Sequence, residues 1–297
     1  MTEPRPSTLR VWLGAIRPAT LLAAVGPVLV GGACALGENQ QNWLAGALAL
    51  AAALTVQILV NIHNDLKDFE KGADTEDRLG EARAAQKGWL SPAQLKGALA
   101  ILVVISGIIT GALAWIVGWP VVVIGLASIL SAFAYTGGPF PLAYNGLGDL
   151  FVFLFFGLVA VMGTTYVITE AVSTQAFWAG LIVGAHATAI LVVNNIRDRL
   201  TDAPVNKKTL VVRFGASFGR WEYILCLVGG YGLVAWAIHM ENVFPLSCYA
   251  AFLSVPLAMH CIRALSTLDG ADLNPWLGKT AQVGLLSSVG LAGGMLL

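Results

Sequence analysis

Long apolar runs alternate with short polar segments along the whole chain. Residues 97–148 include no Asp, Glu, Lys or Arg. This stretch could cross a bilayer twice, because one helical crossing needs about 20 apolar residues. The runs are too long for the strands of a membrane barrel, which take about ten alternating residues. The pattern therefore predicts an all-α protein that crosses a membrane several times.

Nine segments have the length and the apolar character of membrane-spanning helices. They are 18–36, 43–65, 95–117, 119–136, 148–168, 176–197, 221–240, 243–264 and 279–297. Between the third and the fourth, Pro120 predicts a tight turn, and Trp115 and Trp119 suit a membrane interface. We interpret residues 1–297 as one transmembrane domain.

The charges predict the orientation of these spans. Only 11% of the residues are charged, whereas an ordinary soluble domain has about 25%. If the N-terminus is cytoplasmic, the inner segments and the helix ends beside them hold all 17 Lys and Arg. The outer connections then carry only Glu38, Glu170 and Glu241. This positive-inside pattern predicts a multi-pass inner-membrane protein with cytoplasmic active-site loops and an external C-terminus.

Other sequence features give no indication of a signal peptide, a cysteine metal site or nucleic-acid binding. The small residues at 33–35 resemble a signal-cleavage site, but the apolar stretch before them is longer than that of a signal peptide, so we expect no cleavage. The four cysteines fall within predicted spans without metal-ligand spacing, which indicates packing. A net charge of zero and the lack of a basic tail give no indication of nucleic-acid binding.

Two polar clusters follow apolar runs. The first consists of Asn61, Asn64, Asp65 and Asp68, and the second of Asn195, Asp198 and Asp202. Residues four apart share a helix face, so each cluster forms a polar surface at the cytoplasmic end of a span. A shift of 134 residues superposes three members of each cluster. This suggests an internal repeat of two four-helix units followed by a ninth helix.

The residue types in the clusters point to a hard metal ion. Asp and Asn oxygens without His or Cys suit Mg²⁺, which completes its shell with water and substrate phosphate. Two facing clusters could hold two ions that bridge a diphosphate. Basic residues that could grip phosphate follow each cluster: Arg78 and Arg83 the first, and Lys207, Lys208 and Arg213 the second. For one carboxylate, a solvated helix end is an equally good explanation.

An ion-coupled transporter is the main alternative class, since carboxylates within a membrane also serve transport. Transporter sites lie near the membrane midplane, often between inverted repeats. Here both clusters are predicted at the same cytoplasmic edge, and the repeat is parallel. Basic loops beside the carboxylates also suit a diphosphate better than a translocated cation.

Several motifs in order along the chain resemble the UbiA superfamily of membrane prenyltransferases. Its two aspartate-rich motifs are similar to "NIHNDLKDFEKGAD" and to "NNIRDRLTD" with the following "KKTLVVRFG". The segments "RPATL", "GADTEDRLG" and "YTGGPFPLAYNGLGD" look most like the menaquinone-pathway branch, which acts on 1,4-dihydroxy-2-naphthoate. The motifs extend over residues 17–215, about two thirds of the chain.

The resemblance implies nine helices around a central cavity that opens sideways to lipid and is capped by cytoplasmic loops. It implies one Mg²⁺ at Asn64, Asp65, Asp68 and Asp74, and a second at Asp198 and Asp202. Arg78, Lys207 and Lys208 would hold the diphosphate, and Arg17 is a further candidate, with membrane anchoring as an equal alternative. Asn61, Arg83 and Asn195 complete the predicted polar contacts to this substrate.

The expected reaction is transfer of a polyprenyl group from its diphosphate to an aromatic acid, with release of diphosphate and CO₂. Asp68 and Asp198 would act through the metal ions, and Tyr135 could shield the allylic cation through its ring face. Tyr144 and Asp149 are candidate substrate contacts. Loop ordering is the alternative role for either tyrosine, and N-capping of the fifth span is the alternative for Asp149.

Two positions depart from the family pattern. Asn206 precedes Lys207 where a glycine is usual, but Asn also tolerates a left-handed backbone. Glu81 stands where a proline is common, and its charge would weaken a diphosphate site slightly. Neither residue is a predicted metal ligand.

Overall fold

The computed structural model describes residues 6–36, 41–73, 79–80 and 82–297, and no β-strand occurs among them. The helices are α1 Thr8–Ile16, α2 Pro18–Cys34, α3 Trp43–Glu70, α4 Pro92–Val117, α5 Pro120–Thr136, α6 Gly148–Val152, α7 Ala160–Thr169, α8 Thr174–Asp202, α9 Leu210–Phe214, α10 Ala216–His239, α11 Val255–Thr267 and α12 Asn274–Met295. A π-helical segment, Phe153–Val159, joins α6 to α7, and a 3₁₀ helix, Leu246–Ser254, leads into α11. The predicted all-α fold is confirmed.

The apolar helices of the described chain coincide with the predicted spans. Six helical segments are long and apolar enough to cross a membrane, and the bent pair α1–α2 would make a seventh. At 17 residues, α5 is shorter than these. The chain is therefore an integral membrane protein with several crossings, whereas the number nine stays a prediction.

Local sequence signals set the ends of the helices. Asn42 caps the start of α3, and Ser91 and Gln94 form a reciprocal capping box at the start of α4. After α4 the chain turns at Gly118, whose φ of 102° is a left-handed value that favours glycine. Pro120 then begins α5, which confirms the predicted turn between the third and fourth spans.

Helix α8 is the central element of the bundle. Of its most apolar stretch, 72% is buried inside the protein. Its N-terminal half contributes Ile182 to a buried apolar cluster with Val161 and Val234, and its C-terminal half contributes Ile196 to a second cluster with Tyr223. The C-terminal end of α8, which carries the second polar cluster, is thus fixed from several sides.

Glycines allow α8 to lie directly against the π-helical segment. A Cβ on Gly157 would stand 2.5 Å from the carbonyl oxygen of Gly180, and a Cβ on Gly184 would stand 2.6 Å from that of Phe153. Both distances are shorter than real Cβ contacts. The contact between these two backbones therefore requires residues without a side chain.

This packing makes Gly157→Ala a destabilising change. We expect the variant to lose about 1–3 kcal/mol of stability, because an added methyl group forces the two backbones apart. The measurement is thermal unfolding of the purified protein in detergent. Gly232→Ala is the matched control, since Gly232 is exposed and a Cβ there meets nothing within 4 Å. Equal unfolding midpoints for both variants would contradict the packing argument.

Candidate active site

Asn61, the first residue of the first cluster, fixes the bend between two helices. Helices α1 and α2 meet at Arg17, whose backbone is left-handed with φ 55°, and together they bend by 49°. The side-chain nitrogen of Asn61, Nδ2, donates to the Ile16 carbonyl and to Thr20 Oγ1, both at 2.8 Å. Asn61 therefore fixes the segment that carries Arg17, another predicted substrate contact.

The next residue, Asn64, is connected to the end of α5. Thr136 Oγ1 donates to Asn64 Oδ1 at 2.9 Å and lies 3.2 Å from Nδ1 of His63. The hydrogen bond sets the orientation of the Asn64 amide. Its oxygen is the atom that a metal ion would need.

Asp65 faces a loop of the polypeptide backbone. Its side chain accepts hydrogen bonds from the backbone N–H groups of Ala84, at 3.1 Å, and Ala85, at 3.3 Å, and the residue is 1% exposed. These bonds anchor the loop that carries Arg83. A metal ion at Asp65 stays a prediction, and any such ion would share both carboxylate oxygens with this loop.

Asp68 is a buried carboxylate with two strong partners. Arg83 Nη2 donates to its Oδ2 at 2.9 Å, and the Tyr144 hydroxyl donates to its Oδ1 at 2.8 Å. The Arg83 and Asp68 side chains are only 8% and 6% exposed. Removing one partner of such a buried ion pair costs about 3–5 kcal/mol, since the other charge is left uncompensated. Arg83, Asp68 and Tyr144 thus form one unit.

The second cluster has a comparable pair at the end of α8. Lys207 Nζ donates to Oδ1 of Asp202 at 3.2 Å. Oδ2 of Asp202 is buried and has no hydrogen-bond partner among the described residues. The turn between them passes through Asn206 with φ 58°, so the asparagine adopts the left-handed backbone expected of the glycine it replaces. An unpartnered carboxylate oxygen in a buried place is suited to a cation.

Asp198 forms a third ion pair, with its neighbour in the sequence. Arg197 donates from Nε to Oδ1 at 2.7 Å and from Nη2 to Oδ2 at 2.6 Å. The same guanidinium also donates to the side-chain oxygens of Asn194 and Asn274. Arg197 therefore orients Asp198 and ties it to the start of α12.

Tyr144 connects the two clusters. Its hydroxyl holds Asp68, and its ring centroid lies 4.0 Å from Lys71 Nζ and 5.9 Å from Lys207 Nζ. Since Lys207 in turn pairs with Asp202, one tyrosine and one lysine lead from the end of α3 to the end of α8. The structure thus brings Asp68 and Asp202 to the same polar cap at one end of the helix bundle.

The carboxylates control the charge of the lysine between them. Burial alone would lower the pKa of Lys207, but the combined field of Asp202, Asp68 and Asp198 outweighs it and raises this pKa. Lys71 shows the opposite result, because partial burial lowers its pKa more than Asp68 raises it. Lys207 therefore keeps its proton to a higher pH than Lys71.

An apolar cavity lies beneath this polar cap. It has a volume of about 330 Å³ and is enclosed by α2, α3, α4, α5 and the α6–α7 span. Asn61, Asn64 and Tyr135 line its upper end. Phe151 and Phe155, whose rings stack with centroids 5.8 Å apart, stand on one wall. Polar and apolar surfaces thus meet near the C-terminal end of α3.

Asp149 and Asn195 meet beside Tyr135. Asn195 Nδ2 donates to Asp149 Oδ1 at 3.2 Å, and the Tyr135 hydroxyl is 3.2 Å from the position of a Cβ on Gly148. Helix α6 begins at Gly148, so Asp149 lies in its first turn and the N-cap is Leu147. The expectation that Asp149 caps this helix is therefore wrong.

The structure describes only some of the other predicted residues. Asp74, Arg78 and Glu81 lie outside the described residues. The Lys208 side chain is exposed, and its backbone N–H donates to the Tyr144 carbonyl at 3.0 Å. This bond ties the loop after the second cluster to the loop that carries Tyr144.

The donor atoms fit a magnesium ion that is completed by other ligands. Among the described residues, no group of three or more His, Cys, Asp or Glu side chains could hold a metal ion alone. The site instead offers separate carboxylates, the Asn64 oxygen and the unpartnered Oδ2 of Asp202. Mg²⁺ is bound in this way, with one or two carboxylates, water and phosphate oxygens.

Sequence reasoning missed two cations at this site. Lys71 follows directly after α3, and Arg197 precedes Asp198, so both stood beside predicted ligands. A cation next to a carboxylate near a membrane edge is a signal that could have identified them, since buried charges need partners.

Comparisons with known proteins agree with this geometry. Residues 24–276 match the model of the UbiA prenyltransferase family. A 1,4-dihydroxy-2-naphthoate octaprenyltransferase of Escherichia coli (strain K12) is 35% identical over 97% of this chain and 96% of its own length, and one of Haemophilus influenzae is 33% identical over the same shares. A UbiA homologue of Archaeoglobus fulgidus, solved with GPP and Mg²⁺, is similar in structure with a TM-score of 0.66 at 16% identity, covering 96% of this chain and 98% of that one.

The opposite pKa shifts of the two lysines can be tested by chemical labelling. At mildly alkaline pH, we expect an amine-acylating reagent to modify Lys71 faster than Lys207, because only the uncharged amine reacts. Asp202→Asn should speed the acylation of Lys207, since each unit by which its pKa falls raises the free-amine fraction about tenfold. Mass spectrometry of the digested protein measures both rates.

Lys71 is the internal control for this experiment. The charges near it include Asp68, Lys67 and Lys207 but not Asp202. Its rate should therefore stay the same in Asp202→Asn. An unchanged Lys207 rate in this variant would show that the carboxylate does not govern the charge of the lysine.

Proposed function

Because the chain belongs to the UbiA prenyltransferase family, we propose that it transfers a polyprenyl group from polyprenyl diphosphate to 1,4-dihydroxy-2-naphthoate. The products are demethylmenaquinol, diphosphate and CO₂. The observation that carries the proposal is the convergence of Asp68, Tyr144, Lys207 and Asp202 directly above an apolar cavity. The family assignment leaves the transporter alternative without support.

We propose two Mg²⁺ ions, one that Asn64, Asp65, Asp68 and Asp74 would hold, and one that Asp198 and Asp202 would hold. The bound ions would neutralise the charge that the departing diphosphate gains. Asp202 supports this arrangement most directly, since one of its buried oxygens has no hydrogen-bond partner in the part of the chain that the structure describes.

Cations of this chain would bind the diphosphate oxygens. Arg83 and Lys207 now neutralise Asp68 and Asp202. When the carboxylates bind divalent ions instead, these side chains can turn to the phosphate oxygens, so the site exchanges one set of ion pairs for another. Lys208, Arg78 and Arg17 would add further positive charge for the phosphate oxygens.

The cavity would take the isoprenoid tail. Its walls are apolar, so a hydrocarbon chain gains free energy there by leaving polar surroundings, and water is excluded from the reacting carbon. Tyr135 lines the upper end of this cavity, where its ring face can stabilise an allylic cation.

Asp149 and Asn195 are the proposed contacts of the aromatic acid, because they lie beside Tyr135 at the upper end of the cavity. The ring supplies the electron pair of the new carbon–carbon bond, and the broken carbon–oxygen bond leaves its pair on diphosphate. The attacked ring carbon loses a proton, and the carbon that loses CO₂ takes one up.

The charge distribution supports an inner-membrane location for this reaction. The N-terminus, the cap loops and the diphosphate site would face the cytoplasm, and the C-terminus would lie outside, because the predicted inner segments hold the Lys and Arg residues. Both partners would then be reached from the inner leaflet, the acid from solution and the prenyl diphosphate from lipid.

The proposed reaction can be measured directly. Purified protein with geranylgeranyl diphosphate, 1,4-dihydroxy-2-naphthoate and Mg²⁺ should release diphosphate and form the prenylated ring in equal amounts. Chelation with EDTA should abolish both signals, and added Mg²⁺ should restore them, because the carboxylates alone repel a diphosphate. Diphosphate release without a prenylated product, or full activity in EDTA, would contradict the proposal.

The two-cluster arrangement predicts that Asp68→Asn and Asp198→Asn each lower turnover at least about 100-fold, since each removes a charge that the metal ions require. Circular dichroism and elution in gel filtration should match those of the unmodified protein. Glu241→Gln is the control, because Glu241 is an exposed carboxylate distant in sequence from both clusters. Near-normal turnover in both aspartate variants would overturn the two-metal arrangement.

A further inference from the structure

The cavity has a defined depth. Along α5 its lining extends from Tyr135 to Val121, which at 1.5 Å per residue is about 21 Å. Along α3 it extends from Asn64 to Ala49, about 22 Å by the same rise per residue. Two helices that both run toward the cap thus give the same depth.

The deep end of the cavity is closed. Leu113, Val121 and Val167 line it there, and each is no more than 4% exposed. They belong to one packed apolar cluster, which also includes Ala35 and Ala45. A straight hydrocarbon chain that enters from the cap would therefore reach this floor after about 21 Å, and the rest of a longer tail would have to leave the cavity sideways.

Three glycines near the floor have different neighbours. A Cβ on Gly31 would stand 2.5 Å from the Val161 carbonyl, and a Cβ on Gly125 would stand 2.7 Å from the Thr110 side chain, so these two glycines serve helix packing. A Cβ on Gly163 would meet only Cγ2 of Ile124, at 4.0 Å. Packing does not require glycine at 163, yet the residue lines the cavity.

We propose that Gly163 sets how long an isoprenoid tail the cavity admits, because its missing side chain keeps the deepest part of the cavity open. This inference rests on the proposed function, in which the tail occupies the cavity. A larger side chain at 163 would extend toward Ile124 and close the space between α5 and α7 above the floor.

The depth of this constriction predicts which substrates it affects. Four carbon–carbon bonds of about 1.5 Å give an extended isoprene unit a length of about 5 Å. Ile124 lies eleven residues below Tyr135 on α5, about 16 Å at the helical rise. A tail of two units ends above this level, whereas a tail of four units passes it.

The test compares Gly163→Leu with the unmodified protein on two donors, geranyl and geranylgeranyl diphosphate. We expect kcat/KM for geranylgeranyl diphosphate to fall at least tenfold and that for geranyl diphosphate to change less than threefold. Gly163→Ala should give an intermediate ratio of the two values. In the double variant Gly163→Leu with Ile124→Ala, removal of the facing side chain should restore much of the lost activity.

Gly232→Leu is the matched control, because it adds the same side chain at an exposed glycine of α10 that does not line the cavity. It should leave both donors unaffected. The unfolding midpoint of each variant, taken in detergent, separates a folding defect from an altered cavity.

Each other outcome has a definite meaning. An equal loss of kcat/KM on both donors in folded Gly163→Leu would overturn the proposal that Gly163 sets the length of the tail. So would unchanged geranylgeranyl turnover, since the tail would then leave sideways into lipid above this level. An unmodified protein that turned over neither donor would overturn the proposed function, and with it the proposed role of Gly163.

Discussion

Carboxylates buried near the edge of a membrane protein need a compensating partner, and this requirement organises the end of the helix bundle that carries the two clusters. Asp68, Asp198 and Asp202 are all buried, and each is paired with a cation in the structure. Because burial makes an unpaired charge expensive, the loops that bring Arg83 and Lys207 must fold against α3 and α8. The cap is thus a consequence of the charges. Tyr144 then holds the two sides together through one hydroxyl and one ring face.

The sequence was sufficient for the helices because their signal is local. Apolar runs, prolines and capping residues act within a few positions, so the turn at Pro120 was predicted, and α4 begins at Pro92, three residues before the predicted span at 95. The two aspartate clusters were also identified from spacing alone. What spacing cannot give is the direction of each side chain within a cluster, since that depends on segments distant in sequence.

Asn61 and Asp65 show this limit clearly. Both lie in the first motif, yet Asn61 donates to the Ile16 carbonyl at the bend between α1 and α2, and Asp65 accepts from the backbone N–H groups of Ala84 and Ala85. Their partners are about 45 and 20 residues away along the chain, so no local sequence pattern predicts these hydrogen bonds. The cavity was likewise implied only by family resemblance, because its volume is the space that helix packing leaves. The motif therefore combines residues that hold the scaffold with residues that are proposed to face the substrate.

The bond between Asp65 and the loop after α3 affects how the protein would engage its substrates. Since Ala84 and Ala85 are already anchored, Arg83 is held in position before any ligand arrives. The entropy of ordering this loop is spent during folding, so binding need not supply it. Because the backbone is fixed at Ala84 and Ala85, the Arg83 side chain could exchange one partner for another without this part of the loop having to order again.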